Sequence, residues 1–253
     1  MSDSGEFVQS LARGLEVIRA FDAENPALTL SDVARRADLT RAAARRFLQT
    51  LETLGYVRAD GRVFSLTPRV LELGFSYLSA LSLPALAQPH LERLSREVGE
   101  SVSSAVRDGA DIVYVARVPT RRIMSVGITI GTRFPAYATS MGRVLLAALA
   151  DADARQIVAA SHPASLTPRT RTDVDAIVAE LEAVRAQGWA LVDGELEEGL
   201  RSLAAPLHDR SGAVVAAVNI SASSRGDADE WREQCLPALR AAAAEIDADL
   251  RLV

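Results

Sequence analysis

The chain of 253 residues has no lysine, a single cysteine and no long apolar run. One cysteine, Cys235, excludes a disulfide within the chain and fits a reducing interior. A helix needs roughly 18 apolar residues to cross a membrane, and no segment approaches that length. The first residues also lack the charged and apolar regions of a secretory signal peptide. The sequence therefore predicts a cytoplasmic protein with no membrane partner.

The motifs that mark common classes of enzyme are missing as well. There is no GxSxG motif, no P-loop and no glycine pattern for a dinucleotide. His90, His162 and His208 stand far apart in the chain, without the spacing of metal ligands. We therefore predict no catalytic residue, no metal site and no cofactor.

Arginine supplies all 28 basic side chains, and 33 acidic residues give the chain a formal net charge of -5. A negative molecule would not be drawn to nucleic acid as a whole. The charge is uneven, however, because residues 29–69 contain eight arginines and four acidic residues. The positive excess lies in a segment that has a structural pattern of its own.

Three helices and a hairpin are predicted in the N-terminal third. Ser10 is expected to cap the first helix, and residues 29–32 form a capping box that begins a short second helix. Thr40 caps a third helix, which ends at Gly55, a residue suited to a left-handed C-cap. Asp60-Gly61 between two strand-like segments is a strong hairpin signal. This order predicts a winged helix-turn-helix domain over residues 1–67.

The third helix carries arginine where a helix disfavours it. Arg41 directly follows the cap, against the helix dipole, and Arg45 and Arg46 lie opposite the apolar face. In a helix-turn-helix, the N-terminal residues of this helix reach base edges in the major groove, and arginine suits guanine and phosphate alike. The helix is therefore predicted to face DNA. The predicted DNA-binding residues are Thr40, Arg41, Ala42, Arg45, Arg46, Gln49, Arg58 and Arg62, the last two beside the wing tip.

The sequence resembles the IclR family of transcriptional regulators along essentially its whole length. The similar segments are residues 10–18, 40–57, 138–147 (ATSMGRVLLA), 188–195, 199–206 and 218–221. Within the family, residues 39–46 and 64–70 resemble most closely the regulators of aromatic-acid breakdown through the β-ketoadipate pathway. Members of that subgroup respond to protocatechuate, 4-hydroxybenzoate or β-ketoadipate. The resemblance implies a homodimer or homotetramer that binds a double-stranded DNA operator and a small carboxylate effector.

The remaining two thirds of the chain predict a second domain with mixed helices and strands. A linker helix over residues 68–83 is expected to lead into an effector-binding domain at residues 84–253, which the resemblance implies is a GAF-like α/β fold. Pro84 and Pro89 are expected to interrupt the helix, and a new helix to begin at His90. The predicted fold class is α+β, with the winged helix-turn-helix joined to this sensor domain.

Polar residues within an apolar strand indicate where a ligand could bind. Alternation along residues 214–221 places Asn219 and Ser221 on one face, and buried polar groups need partners, either in the protein or in a ligand. Ser140 stands at a helix start, where free N–H groups favour an anion. The resemblance implies that the effector contacts Ser140, Met141, Ser202, Asn219 and Ser221. Val192, where small-keto-acid sensors of the family carry Asp, implies a less polar pocket that suits a larger or aromatic acid.

Two other classes of function stay open at this point. One is an enzyme that acts on a small organic acid and carries an accessory winged-helix domain; the acidic residues Asp193, Glu195, Glu197 and Glu198 could imitate catalytic carboxylates, although such a stretch is more often a solvated loop. The other is a protein-interaction module, because winged helices also mediate contacts without DNA. A gel shift separates the regulator from the interaction module, and turnover assays separate the sensor from the enzyme.

Overall fold

The computed structural model describes residues 7–73, 83–120 and 128–252 of the chain. Contacts divide the chain into two units, Met1–Ala80 and Leu81–Val253, and each has a core of its own. The predicted linker helix at residues 68–83 lies partly outside the described ranges; its beginning is a 3-10 turn, Pro68–Val70. Within those ranges, no helix combines the length and apolar character that crossing a membrane requires.

Residues 7–66 form three helices and a small antiparallel sheet, which confirms the predicted winged helix-turn-helix. The helices are α1 (Gln9–Arg19), α2 (Leu30–Arg36) and α3 (Arg41–Thr53). The strands are β1 (Ala27–Thr29), β2 (Val57–Asp60) and β3 (Val63–Leu66), in the order β1–β3–β2. Strand β1 was not expected, because three residues are too short to show the alternation that indicates a strand.

Local capping determines where α2 and α3 begin. The Thr29 hydroxyl accepts a hydrogen bond from the Asp32 backbone N–H at 3.3 Å, and the Asp32 carboxylate accepts one from the Thr29 N–H at 3.4 Å, so the predicted capping box is confirmed. The Thr40 hydroxyl accepts from the Ala43 N–H and caps α3. Gly55 follows that helix at a φ of +80°, as a left-handed C-cap requires.

Two local predictions in this unit are wrong in detail. The first helix begins at Gln9, with Val8 at the N-cap and no side-chain cap, so Ser10 lies inside the first turn instead of before it. In the hairpin, Asp60 pairs with Val63, and the two-residue turn is therefore Gly61–Arg62. Gly61 has a φ of +61°, which suits the first turn position, where a type II′ turn needs glycine.

The described residues of the C-terminal unit form a six-stranded antiparallel sheet with helices on its faces, which confirms the predicted α/β domain. Its helices are α4 (Leu83–Val98), α5 (Ser140–Ala147), α6 (Asp151–Ala160), α7 (Val174–Gln187) and α8 (Ala228–Leu250). The strands are β4 (Ser101–Asp108), β5 (Asp111–Val118), β6 (Arg133–Pro135), β7 (Ala190–Asp193), β8 (Leu200–His208) and β9 (Val214–Ser223). Their order is β6–β5–β4–β9–β8–β7, so β4, β9 and β8 form the middle of the sheet.

Helix α4 runs without a break through Pro89, so the predicted interruption and new start at His90 are wrong. Proline lacks an N–H group and removes one hydrogen bond of the helix. The buried side chains Ala87, Leu91 and Leu94 lie on both sides of this position, and their packing holds the two halves of the helix in line.

Helix α5 is the innermost element of this unit, since all eight of its residues are buried. It contacts β8, β9 and α7, and it begins directly after the 3-10 turn Ala136–Ala138. Gly142 permits this arrangement, because a Cβ atom at that position would lie 2.2 Å from the carbonyl oxygen of Ala136. The glycine thus lets the first turn of α5 lie close against the turn that precedes it.

Candidate DNA-binding surface and effector cavity

The apolar and basic faces of α3 separate as the sequence predicted. Ala44, Leu48 and Leu51 are buried in the N-terminal core. The eight residues predicted to bind DNA lie outside that core, and all of them are exposed. They are Thr40, Arg41, Ala42, Arg45, Arg46, Gln49, Arg58 and Arg62. The hydroxyl of Thr40 is already engaged in capping the helix, so its hydrogen-bonding role is partly structural.

The exposed arginines do not all lie in one place. Arg41, Arg45 and Gln49 line a groove that Arg62 of the wing borders on its other side. Arg46 instead lies beside α1, in a shallow groove with Arg13 and Phe47. Neither groove includes Arg58 on β2. The structure therefore brings together one set of side chains between α3 and the wing, and separates Arg46 from it.

Ion pairing distinguishes these arginines from others in the same unit. Arg19, Arg35 and Arg36 pair with Glu16, Asp32 and Asp22, respectively. Within the described part of the chain, the guanidinium groups of the five arginines on α3 and the wing make no ion pair or hydrogen bond; these are Arg41, Arg45, Arg46, Arg58 and Arg62. Positive charge is thus left available on this side for an anionic partner such as the DNA backbone.

A small cavity in the C-terminal unit collects the five residues predicted to bind the effector. The cavity is narrow and lies between the first turn of α5 and strands β8 and β9. The lining residues are Tyr114, Ala138, Thr139, Ser140, Met141, Val192, Leu196, Leu200, Ser202, Asn219 and Ser221. Strand register explains part of this set, because Ser221 lies directly opposite Ser202, and Ser202 directly opposite Val192.

Four polar side chains of the cavity form two hydrogen-bonded pairs. The Ser140 hydroxyl donates to the Ser202 hydroxyl at 2.9 Å, and the Asn219 amide NH₂ donates to the Ser221 hydroxyl at 2.9 Å. The Oδ1 atom of Asn219 is buried and finds no hydrogen-bond partner in the described part of the chain. A buried polar atom without a partner costs roughly 1–3 kcal/mol, and such atoms are rare in folded proteins. A hydrogen-bond donor on a bound molecule would satisfy this atom.

The remaining walls are apolar or aromatic. Met141, Val192, Leu196 and Leu200 supply the apolar surface, and Tyr114 supplies an aromatic ring. Burial raises the pKa of Tyr114 to about 12, so its phenol stays neutral in the physiological range. A flat apolar molecule with a few polar groups fits these walls better than a fully hydrated one.

Sequence reasoning missed several cavity residues. Tyr114 lies within a strand and Thr139 immediately before a helix. Residues of these types are common at such positions and do not by themselves indicate a ligand site. Leu196 and Leu200 lie in or beside the acid-rich stretch, and an isolated apolar residue in a loop forms no pattern that indicates a binding site. Their proximity to Asn219 depends on the pairing of strands distant in sequence, which local patterns do not specify.

The acidic stretch is solvated only in part, because Glu198 is exposed whereas Asp193 and Glu195 form ion pairs within the protein. Glu195 is 6% exposed, and its carboxylate pairs with the buried Arg143 at 2.6 Å. Burial opposes the ionisation of Asp193, but hydrogen bonds from Arg201 and Ser224 outweigh it and lower the pKa of the Asp193 carboxyl. These two carboxylates are structural ion-pair partners beside the cavity.

Two models of known protein families match the chain. The model of the "Bacterial transcriptional regulator IclR C-terminal" domain matches residues 75–248. The model of the "IclR helix-turn-helix domain" matches residues 10–61. The first match includes every residue of the cavity, and the second includes α3 with its arginines.

Individual relatives agree with these matches. The chain is 45% identical over 243 residues to the Pca regulon regulatory protein of Pseudomonas putida. The aligned segment covers 95% of this chain and 84% of that protein. A solved structure from Rhodococcus sp. RHA1, described as a transcriptional regulator, has 60% identity and a TM-score of 0.86, covering 96% of this chain and 98% of that one. An IclR homologue from Microbacterium hydrocarbonoxydans, solved in complex with 4-hydroxybenzoate, has 27% identity and a TM-score of 0.87. The match covers 97% of this chain and 100% of that one.

Proposed function

Because the chain belongs to the IclR family of bacterial transcriptional regulators, we propose that it controls genes of aromatic-acid breakdown in response to an aromatic carboxylate. Residues 1–67 bind the operator and residues 84–253 bind the effector. The names of the relatives support this assignment, since one regulates a pca regulon and another was solved with 4-hydroxybenzoate.

A regulator of bacterial genes works in the cytoplasm, where the DNA is. The enzyme alternative has no support, because the family consists of DNA-binding regulators.

The observation that carries the effector proposal is the unpartnered Oδ1 of Asn219 in a cavity with mostly apolar walls. An amide side chain can present either its oxygen or its NH₂ group, so Asn219 can accept from a hydroxyl or donate to a carboxylate. A hydroxybenzoate offers both groups on a flat apolar ring. Val192 and Met141 contact a ring without competing for its polar groups.

A screen of thermal unfolding tests this proposal directly. The panel contains benzoate, 4-hydroxybenzoate, protocatechuate and β-ketoadipate, with acetate as a control for a carboxylate without a ring. We expect an aromatic acid to raise the melting temperature in a concentration-dependent manner, because a ligand that binds only the folded state stabilises it. A panel in which no acid shifts the transition would reject the effector class. A gel shift with genomic fragments tests operator binding separately.

We also propose that the protein acts on DNA as a homodimer or a homotetramer. Phe7, Val8, Leu11 and Leu15 are exposed along one side of α1 and the residues before it. Large side chains of this kind in a row mark a surface that another protein covers. Regulators with a helix-turn-helix bind paired half-sites as symmetric dimers, so the covering partner is a second copy of this chain. Light scattering showing only monomer at micromolar concentration, with and without DNA, would reject this proposal.

A further inference from the structure

One aromatic side chain reaches the effector cavity from a strand that is not adjacent to the strands beneath it. Tyr114 on β5 is directly opposite Ala105 on β4, and Ala105 is directly opposite Ala217 on β9, so the three side chains point to the same side of the sheet. Tyr114 lines the cavity together with Asn219 and Ser221 of β9, whereas no residue of β4 does, although β4 lies between these strands. Tyr114 therefore extends across β4 toward β9. The buried alanines of its row project only methyl groups and leave room for its ring.

The hydroxyl of Tyr114 has no partner in the described part of the chain. The residue is 4% exposed, and its ring packs edge-on against Phe134 with centroids 5.9 Å apart, but its hydroxyl forms no hydrogen bond with the described residues. Tyr137, the other tyrosine of this unit, donates from its hydroxyl to the Ala164 carbonyl and accepts from the Ala164 N–H, both at 3.0 Å. A buried tyrosine hydroxyl usually finds such a partner. Tyr114 thus brings an unused polar group to the cavity wall.

Tyr114 and Asn219 present complementary groups that do not meet. The phenol can donate a hydrogen bond, and the Oδ1 atom of Asn219 can only accept one. A hydrogen bond between them would satisfy both atoms, yet Oδ1 has no partner in the described residues. The NH₂ group of Asn219 already donates to Ser221, so Oδ1 is the free end of this amide. The cavity therefore holds a donor and an acceptor apart, and both are open to a molecule that lies between them.

We propose that the hydroxyl of Tyr114 donates to the carboxylate of the effector, while Oδ1 of Asn219 accepts from a hydroxyl group of the same ligand. A carboxylate has no hydrogen to donate, so it cannot satisfy Oδ1. The ligand hydroxyl takes that position, which leaves the carboxylate for the donor on Tyr114. This inference rests on the proposed function and deepens it, because it makes the effector a hydroxylated aromatic acid instead of benzoate or an aliphatic diacid.

Each end of such a ligand reports on one side chain. A hydrogen bond from a hydroxyl to a carboxylate is charge-assisted and stronger than one between neutral groups. A site that binds a ligand hydroxyl also disfavours an analogue without it, because the buried acceptor then stays unpaired. In 4-methylphenol the group that Tyr114 binds is missing, and in benzoate the group that Asn219 binds is missing. Comparison of these ligands with 4-hydroxybenzoate separates the two contacts.

Calorimetric titration of the three ligands tests both contacts. The proteins are the wild type and Tyr114→Phe, with Tyr137→Phe as the control, because it removes a buried hydroxyl of the same unit that does not line the cavity. We expect Tyr114→Phe to bind 4-hydroxybenzoate about tenfold or more weakly and 4-methylphenol as well as the wild type does. Tyr137→Phe should keep the wild-type ratio of affinities. The wild type should prefer 4-hydroxybenzoate to benzoate by about tenfold or more.

Thermal unfolding without ligand separates ligand binding from a structural role. Loss of an unpaired hydroxyl should leave the melting temperature of Tyr114→Phe unchanged or raise it, whereas Tyr137→Phe should melt at a lower temperature because Ala164 loses its partner.

Three results would overturn the role of Tyr114: a Tyr114→Phe protein that melts well below the wild type, one that binds 4-hydroxybenzoate as tightly, or one that loses affinity equally for 4-methylphenol. Equal wild-type affinities for benzoate and 4-hydroxybenzoate would overturn the contact with Asn219 and leave the effector class intact. If the wild type binds no aromatic acid, the effector class is wrong and this inference with it, whereas operator binding is still decided by the gel shift.

Discussion

Arg143 and Glu195 form a buried ion pair of 2.6 Å that joins helix α5 to the segment after β7. Arg143 is fully buried, donates through Nε to the carbonyl of Tyr137, and also pairs with Glu180 at 2.7 Å. The pair lies next to the cavity, because Ser140 and Met141 precede Arg143 in the first turn of α5 and Leu196 follows Glu195. It therefore holds two walls of the cavity at a fixed distance.

Replacing Glu195 tests this role. Glu195→Ala removes one of the two carboxylates that pair with the buried Arg143 and leaves Glu180 as the other, so we expect it to lower the free energy of unfolding of the C-terminal unit by about 1.5–3 kcal/mol. Effector affinity should fall as well, since the segment that carries Leu196 loses its anchor. Chemical denaturation and ligand titration measure the two effects. Asp175→Ala, which removes an exposed pair with Arg155, should change stability little. Equal effects of the two substitutions would show that the buried pair has no special role.

Local patterns in the sequence predicted helices α2 and α3, their caps and the presence of the wing hairpin, whereas the cap of α1 and the two residues of the hairpin turn were wrong. The capping residues Thr29 and Thr40 each bind a backbone N–H three residues away, so their signal lies within a short window. The alternation that placed Asn219 and Ser221 on one face is local as well. Strand β9 confirms it, since both side chains line the same cavity.

What the sequence did not predict depends on contacts distant in the chain. The burial of Glu195 requires Arg143, which lies 52 residues earlier. The approach of Tyr114 to the cavity depends on the pairing of β4 with β9, two strands that lie far apart in the chain. The unbroken course of α4 through Pro89 also depends on tertiary packing, which outweighs the local tendency of proline to break a helix.

The amide of Asn219 is expected to matter for the ligand and not for DNA. We predict that Asn219→Ala lowers effector affinity by about tenfold or more, because a hydrogen bond to a polar or charged ligand is lost. Operator affinity without effector should stay unchanged, while the effector concentration needed to alter DNA binding should rise in proportion. Ser104→Ala is the control, since that buried hydroxyl donates to the Ala217 carbonyl. Equal effector affinities of wild type and Asn219→Ala would place the ligand elsewhere.

The two neighbouring arginines of α3 should affect DNA binding differently. Arg45 lies in the groove between α3 and the wing, whereas Arg46 lies beside α1. We predict that Arg45→Ala weakens operator binding by about tenfold and relaxes the preference at one base position, as expected for a base contact. Arg46→Ala should weaken binding to operator and to random DNA alike. It should also lower by about one the number of counterions released on binding, measured from the salt dependence of the affinity, as expected for a phosphate contact.

Gel shifts and titrations at several salt concentrations measure these effects, with a randomised operator to detect changes in sequence preference. Arg19→Ala is the matched control, because Arg19 is also an exposed arginine on a helix but pairs with Glu16. If both α3 variants bound the operator as tightly as the wild type, the assignment of α3 as the recognition helix would be wrong.

The close approach at Gly142 gives the last prediction. A methyl group there would lie 2.2 Å from the Ala136 carbonyl oxygen, so α5 or the preceding turn must move. Overpacking of this kind costs about 1–3 kcal/mol, and we expect Gly142→Ala to lower the free energy of unfolding of the C-terminal unit by at least that amount. Because the displaced turn carries Ser140 and Met141, effector affinity should fall in the protein that remains folded.

Gly14 supplies the matched substitution for this test. It also lies within a helix, but a Cβ atom there would meet the ring of Phe47 at 3.8 Å, which is an ordinary contact. Gly14→Ala should therefore stabilise the N-terminal unit by about 0.5–1 kcal/mol, since alanine loses less conformational freedom in a helix than glycine. Denaturation followed by a probe in each unit separates the two effects. A Gly142→Ala protein as stable as the wild type, with unchanged effector binding, would show that α5 can shift without disturbing the cavity.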